Sequence, residues 1–297
     1  MAFSRYRSSN TSSSSSSSFS RRPLWPRIGG HHAAVVAQAA ARQKTRKKKS
    51  NVADGSLSST TTILSVASDG SDAWKLEDAA DMIRQGMVGI TPTDTYPALI
   101  CDISNKEAVK KLYELKGASP KKTMSILVRN MADISEYTEG FPVSHVPGQT
   151  SFFKVAKKIL PGPFTLILGA SKSLPKQIID FEAGKSKKRK TVGVRLVDHG
   201  VCQELLNRLD RPVLCSSAIL PDDRMDTGHA SSIPDVGTMC DYYGSLLGFI
   251  IDVEDDAWDG VDHGEPSTIL DLSDGHVTIV RRGRGDVSWL EDGSTAS

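Results

Sequence analysis

The sequence predicts an α/β domain built on a mixed β-sheet. Three observations support this prediction. Helical and strand patterns alternate from about residue 74 onward, the strand segments are short and apolar, and two late strands face each other across Ser273-Asp-Gly275, a hairpin signal. Alternation with helices predicts parallel strand pairs, whereas a hairpin adds an antiparallel pair, so we expect both kinds in one sheet.

The first half of the domain begins with a helix. Leu76, Ala79, Ala80 and Ile83 recur at helical spacing, with Ser71 or Asp72 as the cap and Gly86 as the stop. The capping box Ser104-Asn-Lys-Glu107 opens a second helix through Leu112 and Leu115. Apolar runs predict strands at Met87–Thr91, Ala98–Cys101 and Met124–Val128.

The second half continues the alternation. A helix through Phe152, Phe153, Ala156 and Ile159 ends at Pro161-Gly-Pro163, and another carries Val201, Leu205, Leu206 and Leu209. The remaining apolar runs predict strands at Phe164–Leu168, Val192–Val197, Val213–Cys215, Phe249–Val253, Ser267–Leu272 and His276–Val280.

Charge divides the chain into a tail and a body. The 297 residues carry a formal net charge of +2, but residues 1–53 contain 11 Lys/Arg and no acid. The body therefore has 26 basic and 35 acidic side chains, which excludes a domain that binds nucleic acid by a basic charge throughout. We expect residues 1–53 as a disordered tail, 54–73 as a linker, 74–290 as the domain and 291–297 as a C-terminal tail.

The tail resembles an organellar transit peptide in composition. It is rich in Ser, Arg and Ala, includes the run Ser12–Ser18, and lacks the early apolar stretch of a secretory signal. The Ser excess favours a chloroplast, with a mitochondrion as the alternative. A disordered basic arm that binds RNA through Arg46–Lys49 is the competing interpretation.

Several classes of site are not expected. No apolar run approaches the roughly 18 residues that span a bilayer, so we expect no membrane contact. The four cysteines lie far apart without a CxxC pair, which argues against a disulfide scaffold and a structural zinc site. We predict no protein-bound metal.

Polar patches occur where apolar strands end. They are Thr91-Pro-Thr-Asp-Thr95, Lys116-Gly-Ala118, Cys215-Ser-Ser-Ala218 and Pro266-Ser-Thr268, with Arg195 inside a strand and Arg281-Arg-Gly283 after the last one. In an open α/β sheet, ligands bind beyond strand ends, where hydroxyls, amides and cations converge. Lys, Arg and Ser/Thr together suit a polyanion such as a nucleotide phosphate.

Six stretches of the chain, taken in order, resemble the motifs of the YrdC-like domain family. They are Ile90-Thr-Pro-Thr-Asp-Thr95, Pro161-Gly-Pro-Phe-Thr-Leu-Ile-Leu168, Thr191-Val-Gly-Val-Arg195, Ser217-Ala218, Pro266-Ser-Thr268 and Ile279-Val-Arg-Arg-Gly283. The resemblance implies a single YrdC-like (DHBP synthase RibB-like) α/β domain with a twisted, largely mixed sheet flanked by helices. It also implies synthesis of L-threonylcarbamoyladenylate from ATP, L-threonine and bicarbonate, with Mg²⁺, for threonylcarbamoyladenosine in tRNA.

The resemblance also implies roles for individual residues. Lys116 and Ser217 match the family's catalytic lysine and serine. Nucleotide and substrate binding is implied for Thr93, Thr95, Arg195, Ser267, Thr268 and Arg281.

Departures from the family pattern keep a second interpretation open. Synthases of the family carry Lys-x-Arg and Ser-x-Asn pairs, whereas this chain has Ala118 and Ile219. In the first loop, residues 92–97 between the first two predicted strands, Pro97 replaces an aromatic residue. This pattern is closer to the YciO-type branch. The alternative function is therefore a weakly catalytic or non-catalytic protein that binds double-stranded RNA or tRNA. Its candidate contacts, Lys187, Lys188, Arg189 and Lys190, lie in a cationic run that could neutralise several phosphates. The sequence leaves the oligomeric state open.

Overall fold

The computed structural model describes residues 61–118, 123–145, 151–179, 190–220, 233–254 and 265–292. Within these ranges, ten strands form one sheet in the order β1-β8-β2-β3-β7-β4-β6-β5-β9-β10. The strands are β1 (Thr62–Ala67), β2 (Gly89–Thr91), β3 (Ala98–Asp102), β4 (Ser125–Leu127), β5 (Phe164–Gly169), β6 (Thr191–Arg195), β7 (Val213–Ser217), β8 (Phe249–Glu254), β9 (Thr268–Asp271) and β10 (Thr278–Arg281).

The sheet combines parallel and antiparallel pairs, which confirms the predicted mixed-sheet α/β fold. Strand β8 pairs in parallel with both β1 and β2, β4 with β6, and β5 with β9. The other neighbours are antiparallel, including the predicted hairpin of β9 and β10.

Eight α-helices accompany the sheet in the described ranges. They are α1 (Leu76–Arg84), α2 (Lys106–Lys116), α3 (Met131–Tyr137), α4 (Phe152–Ile159), α5 (Lys176–Ile179), α6 (Gly200–Asn207), α7 (Val236–Tyr243) and α8 (Ser288–Asp292). None of these helices is both long enough and apolar enough to cross a membrane.

The N-terminus of α2 corrects one detail of the sequence interpretation. Asn105, rather than Ser104, caps this helix, because its side chain accepts hydrogen bonds from the Glu107 and Ala108 amides, each at 3.1 Å. The Ser104 amide instead donates to the Asp102 carboxylate at 2.7 Å. The helix still ends at Lys116, followed by Gly117 in a left-handed conformation.

Two apolar cores cover the two faces of the sheet. Side chains alternate along β3, so Ala98 and Ile100 join one core while Leu99 and Cys101 join the other. The helices α1 and α6 bury their apolar faces against the first core, and α2 and α4 pack against the second. Cys215 of β7 belongs to the first core, and its register partner Ser125 of β4 lies on the same face.

The structure adds elements that the sequence interpretation omits. Strand β1 lies within residues 54–73, which the sequence assigns to a linker, and it pairs with β8 along its whole length. Helices α3, α5 and α7 are also additional. Helix α8 extends to Asp292, two residues into the predicted C-terminal tail, whereas residues 1–53 lie outside the described residues.

Candidate functional site

A cavity of about 240 Å³ opens beside the central and C-terminal strands of the sheet. Its lining comes from β4, β5, β6, β7, β9 and β10, from the loop after β2 and from the end of α2. Six of the predicted site residues line this one cavity, although they are far apart in sequence: Thr95, Lys116, Arg195, Ser217, Ser267 and Arg281.

Lys116 reaches the cavity from the last turn of α2. Its side chain is buried, and Nζ donates hydrogen bonds to the carbonyl oxygen of Ser217 and, at 3.3 Å, to the Ser217 hydroxyl. Ser217 is the last residue of β7, so this contact joins a helix C-terminus to a strand end. The predicted lysine and serine are therefore adjacent, with the amine and hydroxyl on the same cavity wall.

Arg195 lies at the end of β6 and is held by the loop after β2. Its Nη2 donates to the Asp94 carboxylate at 2.7 Å and to the Thr95 hydroxyl at 2.8 Å. The Nε group is buried and has no hydrogen-bond partner among the described residues. An unpaired buried donor costs free energy, so an anion that accepts a hydrogen bond from Nε would stabilise this guanidinium.

Arg281, at the end of β10, is hydrogen-bonded to Ser267, the residue before β9. Nε and Nη2 donate to the Ser267 carbonyl at 3.1 and 2.7 Å, and Nη2 also lies 3.2 Å from the Ser267 hydroxyl. That hydroxyl is in turn 2.8 Å from the hydroxyl of Thr165 on β5. The hydroxyls of Ser267 and Thr165 and the Arg281 guanidinium form the side of the cavity at β5, β9 and β10, and Lys116 forms the opposite side, at β7.

The charge of the cavity is strongly one-sided. Three cations line it, whereas no described lining residue is a carboxylate, and Asp94 compensates only Arg195. Burial, followed by repulsion from Arg195, lowers the pKa of Arg281 below its ordinary value. Cations forced together in this way are stabilised when an anion binds between them.

The floor of the cavity, formed by Ser125 of β4 and Thr165 of β5, has space between these side chains because position 193 is a glycine. A Cβ atom added to Gly193 of β6 would lie 2.5 Å from the Ser125 hydroxyl and 3.3 Å from the Thr165 methyl group, both of which belong to lining residues. Cys215 also lines the floor, and burial raises the pKa of its thiol to about 12. This cysteine is therefore a neutral thiol at physiological pH.

Two predicted residues serve the surrounding loops rather than the cavity surface. Thr93 donates to the Tyr96 carbonyl at 2.7 Å and accepts from the Thr95 amide at 3.2 Å, which shapes the first loop. Thr268 donates to the Gly285 carbonyl at 2.7 Å and accepts from the Gly283 amide at 3.0 Å. Their hydroxyls are occupied by backbone groups, so both hold loops in place.

The RNA candidates fall mostly outside the described residues. Lys187, Lys188 and Arg189 are not described, whereas Lys190 is exposed just before β6. The structure adds lining residues that the motifs did not single out, among them Tyr96, Ser125 and Thr165. Thr165 carried a signal, because it is a polar residue inside the otherwise apolar run Phe164–Leu168.

The arrangement suits binding and activation of a phosphorylated substrate. Fixed guanidinium and ammonium groups stabilise phosphate charge, and neighbouring hydroxyls add neutral hydrogen bonds that orient the ligand. No cluster of metal-ligating side chains occurs among the described residues. The hydroxyl, lysine and arginine lining fits an anionic ligand.

Comparisons with known proteins give a consistent picture. The family model Sua5_yciO_yrdC, described as "Telomere recombination", matches residues 81–283. YciO of Escherichia coli K12 is 27% identical over 215 residues, which cover 71% of this chain and 90% of YciO. The human threonylcarbamoyl-AMP synthase is 32% identical over 145 residues, or 49% of this chain and 46% of that enzyme.

Solved structures extend the likeness to the fold. The crystal structure of E. coli YciO superposes with a TM-score of 0.62 at 26% identity, over 76% of this chain and 98% of YciO. Pyrococcus abyssi Sua5 complexed with L-threonine also gives a TM-score of 0.62, at 23% identity over 78% of this chain and 60% of Sua5. At that identity, the second comparison shows the fold alone.

Proposed function

Because the chain belongs to the Sua5/YciO/YrdC family, we propose that it is an L-threonylcarbamoyladenylate synthase. Its substrates are ATP, L-threonine and bicarbonate, and its product supplies the threonylcarbamoyl group of tRNA threonylcarbamoyladenosine. One observation carries the proposal: Lys116, Arg195 and Arg281 converge on a single cavity that has no carboxylate among its described lining residues. Such a cavity favours a polyanion over a neutral ligand.

The proposed reaction has two steps. The threonine amine adds to the carbon of bicarbonate, with loss of water, and forms a carbamate. A carbamate oxygen then attacks the α-phosphorus of ATP, the bond to the β-phosphate bridge breaks, and pyrophosphate leaves. Neither step needs a covalent bond to the protein, so positioning and charge stabilisation are the main demands on the site.

The residues of the cavity divide these tasks. Arg195 and Arg281 hold phosphate oxygens, and the hydroxyls of Ser267 and Thr95 orient the same groups. Lys116, next to Ser217, binds the negative charge that the carbamate and the α-phosphate share during attack. Mg²⁺ enters with ATP, because the ion in such sites is typically held by substrate phosphates together with water.

A direct assay tests this function. The full chain is incubated with MgATP, bicarbonate and labelled L-threonine, and the adenylate and pyrophosphate are measured. Lys116→Ala removes one charged donor and should slow product formation by about 10²–10³-fold. Lys110→Ala, a change of an exposed lysine on the same helix, is the matched control and should leave the rate unchanged.

Ala118 and Ile219, which depart from the family motifs, indicate which result would contradict the proposal. A wild-type protein that folds and binds ATP without forming the adenylate contradicts the proposal. Product from an Ala118→Arg, Ile219→Asn double variant alone would show that the nucleotide site persists and that the chemistry has been lost.

The proposal includes an RNA partner, either tRNA or double-stranded RNA. The support is positional: exposed Lys190 ends the cationic run, and its backbone carbonyl accepts a hydrogen bond from the Ala170 amide at 2.8 Å, directly before the strand that carries Arg195. Neutralising Lys187, Lys188, Arg189 and Lys190 should reduce the slope of log affinity against log salt by about 0.7–0.9 for each phosphate that these side chains neutralise. An unchanged slope contradicts this partner.

We also propose that residues 1–53 direct the protein to the chloroplast. A fusion of these residues to a fluorescent protein should be imported into chloroplasts and shortened. Import into mitochondria would support the alternative compartment and contradict this assignment.

A further inference from the structure

Asp94 is a buried carboxylate that connects three separate parts of the chain. Its side chain is 8% exposed, and one oxygen accepts from Arg195 Nη2 at 2.7 Å. The other oxygen accepts from the Asp198 amide at 2.9 Å, just after β6. Its backbone carbonyl accepts from Arg284 at 3.0 Å, in the turn after β10.

The contacts of Arg195 show what this carboxylate achieves. The Nη2 group has two N–H bonds, and Asp94 and Thr95 accept both of them. Nε is buried without a partner among the described residues, so this guanidinium, which lines the cavity, keeps an unpaired donor for a ligand. These two acceptors in the loop after β2 thereby set the orientation of the planar guanidinium.

A carboxylate at this position has two opposing effects on a bound anion. Its charge repels the anion, whereas its hydrogen bond fixes the cation that attracts it. Arg is favoured at phosphate sites because its donors form a rigid fork, and that advantage depends on orientation. The charge of Asp94 therefore lowers the affinity for the anion, whereas its effect on the orientation of Arg195 raises that affinity. Because the two effects have opposite signs, mutations can separate them.

We propose that Asp94 is a positioning residue of the nucleotide site, which orients Arg195 toward the phosphates and fastens the first loop to β6. The proposal rests on the proposed function for the identity of the ligand. It predicts that the benefit of Arg195 for ATP binding depends on Asp94.

A double-mutant cycle tests this dependence on ATP binding, without any need for turnover. Arg195→Gln should weaken ATP binding about tenfold or more in the wild-type background, and less than threefold in an Asp94→Asn background. Asp198→Asn is the matched control. It removes a neighbouring negative charge but keeps the backbone amide that bonds Asp94, so it should leave the effect of Arg195→Gln intact.

Catalysis supplies a second readout. Asp94→Asn removes a repelling charge, so the KM for ATP should stay within about threefold of wild type while kcat falls by at least tenfold. Thr95→Val removes the other acceptor of Nη2 and should shift kcat in the same direction by less. Thermal unfolding of each variant confirms that it is folded.

Three outcomes would overturn the proposal. Additive effects of Asp94→Asn and Arg195→Gln on ATP affinity would show that Asp94 contributes charge alone. An unchanged kcat in Asp94→Asn would show that the orientation of Arg195 is set elsewhere. A wild-type chain that binds no ATP overturns both this proposal and the proposed function, whereas one that binds ATP without turnover overturns only the latter and leaves the cycle decisive.

Discussion

Replacing Gly193 with alanine should distort the floor of the cavity. The added Cβ atom would lie 2.5 Å from the Ser125 hydroxyl, which is 0.5 Å inside the 3.0 Å that real Cβ atoms essentially never cross. It would also lie 3.3 Å from both Ser125 Cβ and Thr165 Cγ2. The Ser125 hydroxyl can rotate away, but Thr165 is fixed by its 2.8 Å contact with Ser267, so the strain is only partly relieved.

The expected size of the effect follows from these distances. Overpacking typically costs about 1–3 kcal/mol, and the lower chain entropy of unfolded alanine returns about 0.4–1 kcal/mol. We therefore expect Gly193→Ala to lose about 1–2 kcal/mol of unfolding free energy. For a domain of this size, that loss lowers Tm by roughly 2–8 °C.

Two assays separate stability from binding. Thermal or urea unfolding measures the stability of Gly193→Ala, and calorimetric titration with MgATP measures its affinity, which should fall about tenfold because the new methyl group narrows the floor. The Ser125→Ala, Gly193→Ala double variant removes the shortest contact. It should recover most of the stability while ATP binding stays weak.

The result that would refute this reasoning is specific. If Gly193→Ala retains both wild-type stability and wild-type ATP affinity, the floor between β4 and β5 is not part of the nucleotide site. If the double variant recovers neither property, the Ser125 contact is not the source of the strain.

Three further predictions address the helix that carries Lys116, the cation at the opposite wall and the buried thiols. Asn105→Ala removes two capping hydrogen bonds and should cost about 1 kcal/mol in urea unfolding, with ATP affinity unchanged. Arg281→Lys keeps the charge but loses the pair of hydrogen bonds that Nε and Nη2 donate to the Ser267 carbonyl, so ATP affinity measured by calorimetry should fall about tenfold. Burial raises the pKa of Cys202 and of Cys215 to about 12, whereas unfolded thiols ionise near 9, so stability is complete below pH 9 and decreases as pH rises from 9 toward 12. Urea unfolding at pH 8 and pH 10 should show this decrease, and Cys215→Ala should reduce it.

Most strands of the sheet could be predicted from local patterns, because the apolar residues that identify each strand are neighbours in the sequence. The apolar run at Phe164–Leu168 and its proline-glycine boundary identify β5 without any knowledge of its partners. Strand β1 gave no comparable signal, since it lies in a Ser/Thr-rich stretch. It is stabilised by parallel pairing with β8, in which Thr62 meets Phe249. Pairing between such distant segments depends on the finished fold.

The site shows the same division between local and long-range information. Polar residues within or just after apolar segments marked Lys116, Arg195 and Ser217 as candidates, and the structure brings them to one cavity. Ser125 was missed because a single polar residue reveals its face only through register, here its pairing with Cys215. Thr268 looked like a ligand-facing hydroxyl, yet its partners are backbone groups of a turn that follows β10.

The two departures from the family motifs have different structural consequences. Ile219 lines the cavity and packs against Tyr96, so an apolar side chain stands where the family resemblance implies an amide. Ala118 instead packs against the core, and its amide bonds the Tyr113 carbonyl at 3.1 Å, as part of the turn that ends α2. The described cavity also retains three cations without the arginine implied at position 118. The departures therefore remove one implied cation and one implied amide, while Lys116, Arg195 and Arg281 still supply positive charge to the described cavity. If this chain lacks synthase activity, we expect the cause to lie near Ile219, where the reacting groups would be incorrectly oriented. ATP would still bind to Lys116, Arg195 and Arg281.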